Sequence, residues 1–114
     1  MKIERFEDII AWKKSRILVK DIYKLVDESK DYGFRDQMRR ASVSIMNNIA
    51  EGFERKSNKE FKQFLFIAKG SAAEVKSMLY VALDLAYLDK EKFDELFDLT
   101  EEITKILSGL IKTL

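Results

Sequence analysis

Apolar residues recur at helical spacing through almost the whole chain, interrupted by three short polar breaks. Trp12, Val19, Ile22, Tyr23 and Val26, widened by Ala11, Leu18 and Leu25, form one stripe. It predicts a first helix from about Glu7 to Lys30. The break Ser29-Lys30-Asp31-Tyr32-Gly33 carries turn and cap residues. Met38, Ala41, Ile45, Ile49 and Gly52 share the next face, predicting a second helix from Gly33 or Phe34 to Glu54. Ser57-Asn58-Lys59-Glu60 then reads as a capping box, in which a serine oxygen and a glutamate side chain satisfy free backbone amides. The face Phe61, Phe64, Leu65, Ala68, Ala72, Val75, Leu79, Ala82 and Ala86 follows it. The third helix is therefore expected to run for about 30 residues, roughly 45 Å. Asp89 is a good N-cap for the fourth, with Glu91 in its first turn. The apolar face of that helix is Phe93, Leu96, Ile103, Ile106, Leu107, Leu110 and Leu114. Four amphipathic helices on short turns pack most simply as an all-α, antiparallel up-down-up-down bundle, a single domain over residues 1–114.

Two features exceed what one bundle needs. Phe66, Ala73, Tyr80 and Tyr87 recur every seven residues, away from the main face of the third helix. A heptad drifts only about 20° per repeat on a straight helix, so the four are expected to stay aligned as an oligomer interface. On the second helix Gln37, Ser44, Asn48 and Arg55, with Glu51 slightly off line, border the apolar face. Polar groups so near a core need hydrogen-bond partners, and Ser71 and Glu74 on the third helix are the expected ones. The expectation is a structural polar network fixing register. Gly52 and Gly70 sit inside helical patterns, where glycine costs about 1 kcal/mol against alanine; both read as close-packing positions.

Composition narrows the chemistry. There is no cysteine and no histidine, which removes thiolate sites, the usual general base and the commonest transition-metal ligand. Catalysis would fall to Ser44 near Lys69 or Glu74, without a nucleophile-elbow or oxyanion-hole pattern. Glu51, Glu54 and Glu74 could hold a hard cation weakly, without a recognisable calcium loop. The reading is a protein that is not an enzyme and has no cofactor. The opening Met1-Lys2-Ile3-Glu4-Arg5-Phe6-Glu7-Asp8 lacks the apolar core of a signal peptide, and runs such as Phe64–Ala68 are too short to span a bilayer. A cytoplasmic protein with no membrane partner is expected. Net charge is +1, yet residues 1–83 carry 17 basic and 12 acidic side chains, whereas residues 84–114 carry 4 and 8. Such asymmetry either marks a partner surface or is neutralised between helices on folding. Arg39, Arg40, Arg55, Lys56 and Lys59 gather on the second helix and the turn after it. They are the expected contacts should RNA be bound, weakly and without sequence preference.

The run Gln37-Met38-Arg39-Arg40-Ala41-Ser42-Val43-Ser44-Ile45, with Asn48-Ile49-Ala50-Glu51-Gly52 and Arg55, resembles the central motif of the 23S rRNA intervening-sequence proteins, a four-helix-bundle family. Ser57, Glu60-Phe61, Phe64-Leu65, Ala68, Gly70-Ser71 and Glu74 are similar to its second motif, and Phe6 to Trp12 to its start. The resemblance implies an antiparallel bundle assembled as a homopentameric ring, from a family without an assigned molecular role. A scaffold or protein-interaction module is the function expected, with RNA binding the alternative.

Overall fold

The computed structural model describes residues 3–114; Met1 and Lys2, which open the charged N-terminal stretch, lie outside the described residues. The described residues form a 3-10 turn, Phe6–Asp8, and four α-helices: α1 Ile10–Val26, α2 Tyr32–Phe53, α3 Asn58–Asp84 and α4 Lys90–Lys112. No strand occurs among them.

Local chemistry sets most of the boundaries. Asp31, Ser57 and Asp89 each accept a hydrogen bond from the backbone amide three residues on, that of Phe34, Glu60 and Lys92 respectively. These caps satisfy amides that the first helical turn leaves free. At Ser57 the serine half of the box forms, while the Glu60 side chain does not return a bond to the Ser57 amide.

Two helices depart from the sequence reading. The first helix does not run from Glu7 to Lys30. Ile9 is extended and buried, and Phe6 folds back edge-on against Trp12 at 5.2 Å between ring centres. That packing breaks the chain ahead of Ile10. Nor does α3 reach Ala86, which adopts φ 59°. The Ala86 amide bonds the Leu83 carbonyl at 3.1 Å and the Tyr87 amide bonds the Ala82 carbonyl at 2.8 Å. This is a Schellman turn with alanine where glycine is usual. It reverses the chain two residues before the apolar pattern ends.

Each helix packs against its two neighbours in the cycle α1–α2–α3–α4, and α1 stands diagonally opposite α3. Across α2 and α3, Gln37 meets Glu74, Ser44 meets Ser71 and Gly52 faces Phe64, so one helix ascends in number as the other descends. Across α3 and α4, Lys76 meets Glu101 while Tyr80 packs on Phe93 and Phe97. Leu18, Ile22, Met38, Ile45, Ile49, Leu65, Leu79, Leu96, Ile103 and Leu107 fill one shared core. Each such fully buried side chain is worth about 1.5–3 kcal/mol relative to exposure.

Among the described residues the fully buried polar ones are Ser15, Ser42 and Thr100. Each hydroxyl donates to a carbonyl one turn back on its own helix, that of Ala11, Arg39 and Leu96. Such bonds satisfy the hydroxyl without a partner from another element. No helix among the described residues is long and apolar enough to cross a membrane.

Candidate functional site

The α2–α3 seam carries the polar stripe. Asn48 donates Nδ2 to the Ser44 carbonyl at 2.8 Å and to the Ser44 hydroxyl at 3.0 Å. The Ser44 and Ser71 hydroxyls share a 2.8 Å hydrogen bond across the seam. These three residues are half-buried, which makes each bond costly to lose. The other four members lie at the surface of the subunit. Gln37 donates to Glu74 at 3.3 Å, and Arg55 pairs with Glu51 at 3.0 Å while lying over the Phe64 ring. All four are exposed, so the burial expected for the whole stripe is found only at Ser44, Asn48 and Ser71.

The seam offers little to catalysis. Ser44 bonds Ser71 and Asn48, and neither Lys69 nor Glu74 reaches it. A hydroxyl is a weak nucleophile until a neighbouring base takes its proton, and a second hydroxyl does not supply one. Glu51 is bound by Arg55 and Glu74 by Gln37, and no group of three or more acidic side chains is placed to hold a metal among the described residues.

The outward face of α3 is apolar. Phe66 and Tyr80 are 53% and 52% exposed. Ile67 and Val81, one position further on in each heptad, are exposed beside them. Ala73 and Gly70 lie between, exposed, and a β-carbon added at Gly70 meets nothing within 4 Å. Gly70 is thus no packing position within the subunit, contrary to its sequence reading. Two aromatic rings of the expected stripe are partly used inside the subunit. Tyr80 sits 5.0 Å from Phe93 and 5.6 Å from Phe97. Tyr87 does not continue the stripe at all, because α3 ends at Asp84. Beyond the Schellman turn its ring packs edge-on against Phe34 at 5.1 Å, and its hydroxyl donates to Asp31 at 2.7 Å. Ile67 and Val81 were legible as the positions following Phe66 and Tyr80, but a single-position heptad count passes over them.

The basic side chains expected to contact RNA divide into two places. Arg39 lies over the Tyr23 ring at 5.0 Å and 3.9 Å from Asp27, and its buried Nε has no acceptor. Arg55 is held by Glu51. Arg40, Lys56 and Lys59 are exposed and form no ion pair among the described residues. Fifteen residues separate Arg40 from Arg55, about 22 Å of helix. The five do not form one cluster.

Two side chains that tie one element to another titrate away from their ordinary values. The Lys76 ammonium, hydrogen-bonded at 2.5 Å, holds Glu101 below the usual glutamate value. The hydrogen bond to Asp31 pushes Tyr87 above the usual tyrosine value. Both are surface latches between elements: α3 to α4, and the α3–α4 turn to the start of α2.

The chain is similar to the crystal structure of a protein with unknown function from the S23 ribosomal protein family of Bacteroides thetaiotaomicron. The two share 29% identity and superpose with a TM-score of 0.84, over 90% of this chain and 99% of that one. No curated protein matches it. The family model described as 23S rRNA-intervening sequence protein matches residues 7–109, spanning all four helices. On that match, joined to the four-helix fold, the chain belongs to the 23S rRNA-intervening sequence protein family.

Proposed function

We propose that this protein is a non-catalytic interaction module of the cytoplasm. It is an antiparallel up-down-up-down bundle that assembles with copies of itself, five to a ring, and serves as a scaffold. The observation that carries this reading is the outward face of α3. Phe66, Ile67, Tyr80 and Val81 stand exposed around Gly70 and Ala73. Large apolar groups flanking small ones let a second helix approach closely and lose contiguous apolar surface to water. The opposite numbering of contacts across α2–α3 and α3–α4 supports the antiparallel order. Light scattering during size exclusion tests it: five times the 13.4 kDa subunit mass is expected, and a monomer at micromolar concentration overturns it.

A second reading is weak, sequence-indifferent RNA binding by the assembled surface. The exposed, unpaired Arg40, Lys56 and Lys59 favour it. Assembly would repeat them around the ring, and salt-dependent binding to structured RNA is its measurement.

A further inference from the structure

Five of the six charged residues of α1 are basic. Four of these, Lys13, Arg16, Lys20 and Lys24, recur at three, four and four positions. At 3.6 residues per turn they occupy an arc of about 80° on the side facing solvent. All four are exposed, and none forms an ion pair among the described residues. Elsewhere about half of the described cations are matched, among them Arg35 by Asp36, Arg39 by Asp27, Arg55 by Glu51, Lys76 by Glu101 and Lys90 by Asp94. Lys14, the fifth cation of α1, lies on another flank and pairs with Glu102 of α4. Asp21, the helix's one acid, is on that same flank, seven residues on.

Beside Lys13, Arg16 and Lys20 no carboxylate lines the surface, whereas Lys24 shares its hollow with Asp27, Glu28 and Asp31. A shallow hollow on α1 is lined by Trp12, Lys13, Arg16, Ile17 and Lys20, with the Arg16 guanidinium 5.9 Å from the centre of the Trp12 ring. A groove between α1 and α2 adds Tyr23, Arg40, Asn47 and Asn48. The neighbouring helix therefore supplies one more free cation and neutral hydrogen-bonding groups.

We infer that the outward face of α1, with the α1–α2 groove, binds the phosphate backbone of a nucleic acid. Eleven residues of helix from Lys13 to Lys24 span about 16 Å, which matches the rise of about five phosphates of one strand. The acidic α4 of a second copy is the other complement in view, but its carboxylates are largely taken. Lys90 holds Asp94, Lys92 holds Glu95, Lys76 holds Glu101 and Lys14 holds Glu102. A strand of phosphates has no such internal counter-charges. α1 and α3 make no contact, so the stripe and the apolar face of α3 are separate surfaces of the subunit, and any assembly repeats the stripe once per copy. The inference rests on the second reading above and moves its site from the α2–α3 turn to α1.

Fluorescence anisotropy of a labelled RNA hairpin, and of a DNA duplex of equal length, tests it with the full chain. Binding is expected at about 50 mM salt. With four phosphate contacts the affinity falls roughly 50- to 150-fold by about 200 mM. Lys13→Glu with Arg16→Glu and Lys20→Glu abolishes binding at unchanged helicity and mass. Lys56→Glu with Lys59→Glu weakens it less than the α1 changes do. The milder Lys13→Gln with Lys20→Gln, which reverses no charge, weakens it and reduces the salt slope by about two contacts. Binding that survives the α1 changes but disappears with the Lys56 and Lys59 pair overturns the α1 site and leaves RNA binding standing. No binding at the lower salt overturns both. If the α1 changes lower the assembled mass instead, the stripe belongs to an interface between copies and the inference fails.

Discussion

A β-carbon placed on Gly52 would stand 2.5 Å from the β-carbon of Phe64. The Phe64 atom is fixed to the α3 backbone, so no rotamer change relieves the clash, and the two helices must separate at that level. Gly52→Ala is expected to lose about 1–2 kcal/mol net, the overpacking strain outweighing the better helix propensity of alanine. Gly70→Ala is the matched control: nothing lies within 4 Å of the new carbon, so an isolated subunit should gain up to about 1 kcal/mol. Measured on the isolated subunit, thermal melts of the two variants should move in opposite directions.

The α3 face can be tested without touching the core. Phe66 and Ala73 both point outward, and Phe66 lies under Lys69, 5.7 Å from the ring centre. Phe66→Glu with Ala73→Glu should keep the helical circular dichroism and reduce the scattering mass to 13.4 kDa. An unchanged oligomer would place the contact on another face.

Within the polar seam the structure separates members that matter to the subunit from those that do not. Asn48→Ala removes two hydrogen bonds from half-buried Ser44 and is expected to cost about 1 kcal/mol. Glu51→Ala removes only an exposed pair one turn away, worth about 0.3–0.5 kcal/mol. Equal losses in urea unfolding, extrapolated with a common slope, would show that assembly buries Glu51.

Ala86 carries the one positive φ among the described non-glycine residues. A β-carbon in that conformation is strained by about 1 kcal/mol or slightly more. Ala86→Gly should therefore raise the melting temperature by a few degrees, the Schellman hydrogen bonds remaining in place.

The two latches respond to opposite ends of the pH scale. Glu101 is held below its ordinary value, so its contribution is present above about pH 4.3 and is lost as pH falls through the folded value. Tyr87 is raised, so its contribution is present below about pH 10 and is lost as pH rises through the folded value. Glu101→Gln should flatten the acid side of a plot of melting temperature against pH, and Tyr87→Phe the alkaline side.

Most of the architecture was legible because helices are local objects. The spacing of Leu18, Ile22 and Val26, or of Leu65, Ala72 and Leu79, names the buried face without reference to any partner. Asp31, Ser57 and Asp89 start helices by bonding amides three residues away, a reach the sequence contains. Gly52 was legible too, since a glycine kept inside a helix points to close approach. The rest depended on which element stands opposite. Periodicity carried α3 through Ala86, whereas the turn that packs Tyr87 edge-on against Phe34 needs the start of α2 nearby. Tyr80 and Phe66 look equivalent in a heptad, yet only Tyr80 meets the α4 aromatics. The same holds for charge. Arg39, Arg40, Arg55, Lys56 and Lys59 are close in sequence, but Asp27 and Glu51 neutralise two of them and the helix spreads the remainder. Four α1 cations stand free, while the fifth, Lys14, takes Glu102, and other α4 carboxylates pair with Lys76, Lys90 and Lys92. Side-chain pairing between helices falls off within a few ångströms, so only the tertiary arrangement decides which charges cancel and which remain for a partner.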